Sequence, residues 1–140
     1  MRTTLEIAGF KSVCRKVLVM ALIVSLPCMA LAEISLARSE PAEGNSIQAP
    51  RQLELWFNEP LATEQNTVAI FPITQLNSQD RTNLTQGAVT VDPQDPTHLT
   101  VGVQHLLPGE YLVVWRAMPR DGQGIPGRFR FRVTRIQSPQ

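Results

Sequence analysis

Cysteine, lysine and histidine are all scarce in this 140-residue chain, and each shortage closes off a class of function. The two cysteines, Cys14 and Cys28, lie in the first 32 residues, so residues 33–140 have none for a disulfide, a thiolate nucleophile or a sulfur-rich metal site. Lysine stops at Lys16. From residue 33 onward nine arginines face eleven carboxylates, a formal charge of −2. That balance offers no basic footprint for nucleic acid. The two histidines, His98 and His105, are seven residues apart near one alternating segment. On a straight strand they would point to opposite faces, more than about 20 Å apart, so they are expected as exposed strand-end side chains and not as a shared metal site. No serine stands in a nucleophile elbow, and no catalytic constellation is visible, so an enzyme is not expected. A long apolar run is missing too: Val17–Leu26 is shorter than the roughly 20 residues a membrane-crossing helix needs.

That short run has a different context. Arg2, Lys11, Arg15 and Lys16 precede it, and Ala30-Leu31-Ala32 follows it. A positive segment, an apolar core and small residues at the A-x-A positions describe a secretory signal peptide over residues 1–32. Cleavage between Ala32 and Glu33 would leave one domain, 33–140, outside the cytoplasm, with its free α-amine on Glu33. Ser25-Leu26-Pro27 ahead of Cys28 is a poor lipidation signal, so a lipid anchor is not expected.

From residue 33 onward the apolar residues alternate with period two, and nowhere with the 3.6-residue period of a helix. Ile34–Arg38 reads as a short first strand. Leu53, Leu55 and Phe57, then Val68 and Ile70, then Val89 and Val91 form the next runs. Leu99, Val101 and Val103, Tyr111, Val113 and Trp115, and Phe129, Phe131 and Val133 complete a set of about seven strands. Turn formers separate the runs: Glu43-Gly44-Asn45, Asp92-Pro93-Gln94-Asp95-Pro96, Pro108-Gly109 and Gly124-Ile125-Pro126-Gly127. Short alternating strands with regular turns predict an all-β, two-sheet sandwich. Residues 75–86 and 118–127 are expected as surface loops, the places on a rigid sandwich where binding residues concentrate.

Three groups of residues call for a role. Arg128, Arg130 and Arg132 alternate with Phe129, Phe131 and Val133, so they form a stripe on one face of the last strand. It reads as a solvated sheet face, or as a docking surface for an acidic partner or lipid head groups. Trp56 and Trp115 sit in alternating strands and read as packing residues. Glu59 closes the second strand before Pro60, and Asp121 lies in the loop before the last; each alone reads as a surface acid.

Taken in order, several stretches resemble the CopC-type periplasmic copper-resistance domain family. They are Leu36 with Ser39-Glu40-Pro41-Ala42-Glu43-Gly44, Ala49-Pro50 with Leu53-Glu54-Leu55-Trp56-Phe57-Asn58-Glu59-Pro60-Leu61, and Pro108 through Arg116. Asp121-Gly122-Gln123 and Gly127 through Val133 complete the match, and only 72–88 fits poorly. The resemblance implies a seven-stranded Greek-key, immunoglobulin-like β-sandwich in the periplasm, and a role in copper handling. It also implies a Cu(II) site built from the mature N-terminal residue, an acid after the second strand and an Asp-x-His loop. The matching positions are Glu33, Glu59, Asp121 and Gln123: both carboxylates are kept, and both imidazoles are replaced. The Met/His-rich loop that holds Cu(I) in some relatives has no counterpart, since Met118 is the one methionine after residue 32. A CopD-type inner-membrane protein is the partner the resemblance implies. The contrasting expectation is a metal-free interaction domain docked on a membrane partner through the arginines.

Overall fold

The computed structural model describes residues 33–135; the expected signal peptide, with both cysteines, lies outside the described residues. Eight strands form two four-stranded sheets. They are β1 (Leu36–Glu40), β2 (Ser46–Ile47), β3 (Gln52–Phe57), β4 (Thr67–Pro72), β5 (Thr85–Val91), β6 (His98–Val103), β7 (Gly109–Ala117) and β8 (Ile125–Val133). The first sheet runs β1-β3-β6-β5 and the second β2-β8-β7-β4. The chain changes sheet after β1, β2, β3, β4 and β6, the crossovers expected of a Greek-key sandwich.

The extra strand, against seven expected, is the two-residue β2. It is too short to show alternation, and it exists because Ser46 and Ile47 lie parallel to Arg132 and Val133. Gly44, at φ +75°, turns the chain so that its N–H reaches the Arg130 carbonyl at 2.7 Å. Three boundaries also move. The first strand begins at Leu36 and not Ile34, β5 starts at Thr85 inside the expected loop, and β8 already includes Ile125-Pro126-Gly127.

Period-two alternation does what pleating requires. Leu53, Leu55 and Phe57 of β3, Leu99, Val101 and Val103 of β6, and Phe129, Phe131 and Val133 of β8 all point inward and are buried. Their intervening neighbours stay half-buried or exposed. Phe57 of one sheet meets Trp115 of the other edge-to-face at 5.0 Å, tying the layers together. Trp115 in turn needs Gly127 opposite it, because a Cβ there would stand 2.0 Å from the indole. Tyr111 is buried and its hydroxyl donates to the Leu107 carbonyl at 2.7 Å, closing the β6–β7 connection. Burial pushes that phenol above its ordinary pKa.

Candidate metal centre

Three chain segments meet at one end of the sandwich, and the hydrogen bonds that join them are specific. Asn58, just past β3, accepts the Ser35 N–H on its side-chain oxygen at 2.7 Å and donates its amide to the Glu33 carbonyl at 3.0 Å. Its own N–H donates to the Ser35 carbonyl at 3.1 Å. The chain at Glu33 is thereby held beside the residue that precedes Glu59. On the other side of Glu59, the Pro60 carbonyl accepts the Arg120 N–H at 3.4 Å and Leu61 bridges Pro119. Ala62 N–H donates to the Met118 carbonyl at 2.7 Å, and Asn66 accepts the Met118 N–H at 2.8 Å while donating to the Ala62 carbonyl. The loop 118–124 is therefore anchored to the chain around Glu59, with Asp121 one residue beyond the last of these bonds.

Backbone neighbourhood and side-chain convergence are different things. Glu33, Asp121 and Gln123 are exposed and Glu59 is half-buried. Among the described residues, no three His, Cys, Asp or Glu side chains are gathered into a group that could hold a metal ion. None of the three carboxylates is paired with a cation among the described residues. The donor atoms these side chains offer are oxygens. Carboxylates and amides suit harder cations better than they suit copper, which favours imidazole nitrogen.

The described histidines lie elsewhere, and one of them corrects the sequence expectation. His105 is exposed, as expected, but sits beyond the end of β6. His98 opens β6 and is not an exposed strand end: only 16% of its side chain is accessible. It stacks on Trp56 with ring centres 4.3 Å apart and planes 3° from parallel. The Arg38 guanidinium covers Trp56 at 3.7 Å. Nε2 of His98 lies 3.2 Å from Glu54 and Nδ1 lies 3.6 Å from Asp92. Nε2 is buried and its approach to Glu54 is close but makes no hydrogen bond. Because the two carboxylates face different ring nitrogens, they brace the imidazole and do not share an ion with it. The alternation of Glu54 and Trp56 along β3 was a visible signal, but only the pairing of Arg38 with Trp56 and of Trp56 with His98 assembles the row.

The CopC domain family matches residues 36–134 of this chain. The chain is 33% identical over 106 residues to Copper resistance protein C of Pseudomonas syringae pv. tomato, covering 75% of this chain and 83% of the relative. It superimposes on PcoC, a methionine-rich copper resistance protein from Escherichia coli, with a TM-score of 0.62 and 26% identity, over 74% of this chain and all of the other. CopC from Methylosinus trichosporium OB3b shares the fold at a TM-score of 0.62 and 20% identity, over 77% of this chain and all of that one. With a sandwich of the same architecture and a family match spanning β1 to β8, the chain belongs to the CopC domain family.

Proposed function

We propose that this protein handles copper in the periplasm, binding Cu(II) at the end of the sandwich where residues 33–35, 58–62 and 118–121 are joined. Family membership supports the copper role, and the Asn58 clamp is the observation that supports the place. In this reading Glu59 and Asp121 supply carboxylates, Gln123 supplies an amide oxygen, and Glu33 supplies its carboxylate and, after cleavage at Ala32, its α-amine. The amine must lose a proton to bind, so affinity rises with pH more steeply than for a site with neutral imidazoles. Replacing imidazole by oxygen weakens Cu(II) binding relative to a nitrogen-rich site. Cu(I) is not part of the proposal, because Met118 is the one thioether after residue 32. A CopD-type inner-membrane protein is the partner this reading implies, and no chemical step is assigned to the domain.

Calorimetric Cu(II) titration of the purified protein tests the site. The double change Glu33→His and Gln123→His should raise affinity at least about tenfold, or roughly 1.4 kcal/mol, because in this reading it puts nitrogen donors at two of the four ligand positions. Added nitrogen hyperfine structure in the electron paramagnetic resonance spectrum should accompany the gain, and Glu59→Ala should weaken binding. Intact mass of the same preparation identifies the N-terminal residue. No gain in a folded double variant would mean that these positions do not meet around one ion.

A further inference from the structure

The strongest unassigned feature is the outer face of the second sheet. On β8, Arg128, Arg130 and Arg132 point outward and are exposed. Opposite them on β7 stand Val114, Leu112 and Glu110, and Arg116 extends the row opposite Pro126. Glu110 approaches Arg132 at 4.0 Å, and no other ion pair involves these arginines among the described residues. Glu43 lines a shallow hollow beside Arg128 and Arg130 without reaching either within ion-pair distance. The cationic face therefore belongs to a domain whose total charge is negative, so its charge is segregated and not merely abundant.

Beside the arginines runs an apolar groove of about 490 Å³. Its floor is Leu112 and Val114, Phe71 and Leu76 form a wall, and Arg81 and Arg128 stand at its rim. The Arg81 guanidinium lies 5.2 Å from the Phe71 ring. Val114 is 38% exposed, one of two large apolar side chains so open among the described residues, while Leu112 is only 9% exposed. The apolar surface thus lies between two arginines, with Val114 open and Leu112 covered. A domain that inserts into a bilayer needs apolar groups that lead. An apolar floor flanked by Arg81 and Arg128 instead suits a partner's side chain, with carboxylates beside it that the arginines can hold by charge-assisted, two-pronged hydrogen bonds.

We propose that the outer face of β7 and β8 is a docking surface for an acidic segment of another protein, bound extended. Alternate residues on β8 are about 6.6 Å apart, the same repeat that alternate residues of an extended peptide present. The fitting segment carries Asp or Glu at alternate positions opposite Arg128, Arg130 and Arg132, with an apolar side chain at the end that reaches the groove. This does not depend on the copper reading, since none of these residues lies in the proposed metal site.

The test is a nuclear magnetic resonance titration of the ¹⁵N-labelled protein with the peptide Leu-Ser-Glu-Ser-Glu-Ser-Glu and its reverse. Controls are the counterparts with Gln for Glu and vesicles of phosphatidylglycerol. Saturable shifts confined to β7, β8 and the Leu76–Arg81 loop are expected, weakening as salt rises. The Gln peptides should not bind. Arg128→Gln with Arg130→Gln should weaken binding at least about fivefold, and Val114→Glu, which places a carboxylate in the groove, should abolish it. Both variants should keep the parent circular dichroism. Absence of shifts with either acidic peptide at millimolar concentration, equal binding of the Gln peptides, or shifts mapping elsewhere overturns the proposal. Binding to vesicles without binding to peptide overturns it in favour of a lipid surface.

Discussion

On the outer face of the first sheet, charged and aromatic groups are matched to one another across three strands; on the outer face of the second, arginines stand beside an apolar groove with one carboxylate within reach. Arg38, Trp56 and His98 form a row over β1, β3 and β6, and Glu54 and Asp92 flank the imidazole. Gln52 donates its side-chain amide to Glu54, so even the supporting carboxylate is engaged. Arg128 and Arg130 have no such partners among the described residues. Both faces belong to the same sandwich and rest on the same core. One sheet face has its charged and aromatic groups in contact with one another, and the other leaves Arg128 and Arg130 without ion-pair partners among the described residues.

The largest effect should come from breaking the matched face at its centre. Trp56→Ala removes both the cation–π contact to Arg38 and the stack on His98. A loss of about 1–2 kcal/mol is expected, read as a lower denaturant midpoint with an unchanged slope. A negligible loss would mean that the row is decoration, and the contrast between the faces would collapse.

Acid should unpick the same face more gently. The Gln94 N–H, at 2.8 Å, leads in holding the Asp92 carboxyl below its usual pKa. The Asp95 N–H and His98 add to it, against an opposing cost of desolvation. A carboxyl whose pKa is lower folded than unfolded stabilises the fold above its unfolded pKa, and that contribution fades as pH falls through the folded value. As pH falls through and below the ordinary carboxylate range, the parent should therefore lose midpoint stability more steeply than Asp92→Asn. Parallel acid limbs would show that Asp92 does not report on folding.

The smallest effect belongs to the unmatched face. Arg130 is exposed and without an ion-pair partner among the described residues, so Arg130→Gln should change stability by less than about 0.5 kcal/mol. Chemical denaturation beside Trp56→Ala sharpens the comparison: the exposed arginine on one face should prove dispensable for folding, and the stacked indole on the other should not. A large loss would place Arg130 in a contact that the exposed face does not show.

The core and the two-sheet architecture were legible because inward residues are set by the pleat, and the pleat is a local property. Leu53, Leu55, Phe57, Phe129, Phe131 and Val133 were assignable from alternation alone and all are buried. Glu59 and Asp121 were assignable to the end of one strand and the loop before another, and the Asn58 clamp brings that strand end against Glu33 across 25 residues of sequence. The clamp itself was not legible, since an asparagine before Glu-Pro looks like any turn residue until its amide is seen to reach back. The loop is shorter than the 118–127 that the sequence suggests because Ile125-Pro126-Gly127 looks like turn chemistry. Pairing with β7 makes it strand, and the Trp115 ring makes its glycine necessary.

By itself the sequence determined which residues face inward, the absence of disulfides after residue 32, and the oxygen donors carried by Glu33, Glu59, Asp121 and Gln123. Side-chain direction in a strand depends only on parity, and donor type only on residue identity. Tertiary structure alone decided which outward residues meet. Arg38 reaches Trp56, and Trp56 reaches His98, only through the registers of β1 on β3 and β3 on β6. Arg128 faces Val114 only through the register of β8 on β7. Register is a property of two strands and of the crossovers that bring them together, and a single strand's alternation carries no record of its neighbour.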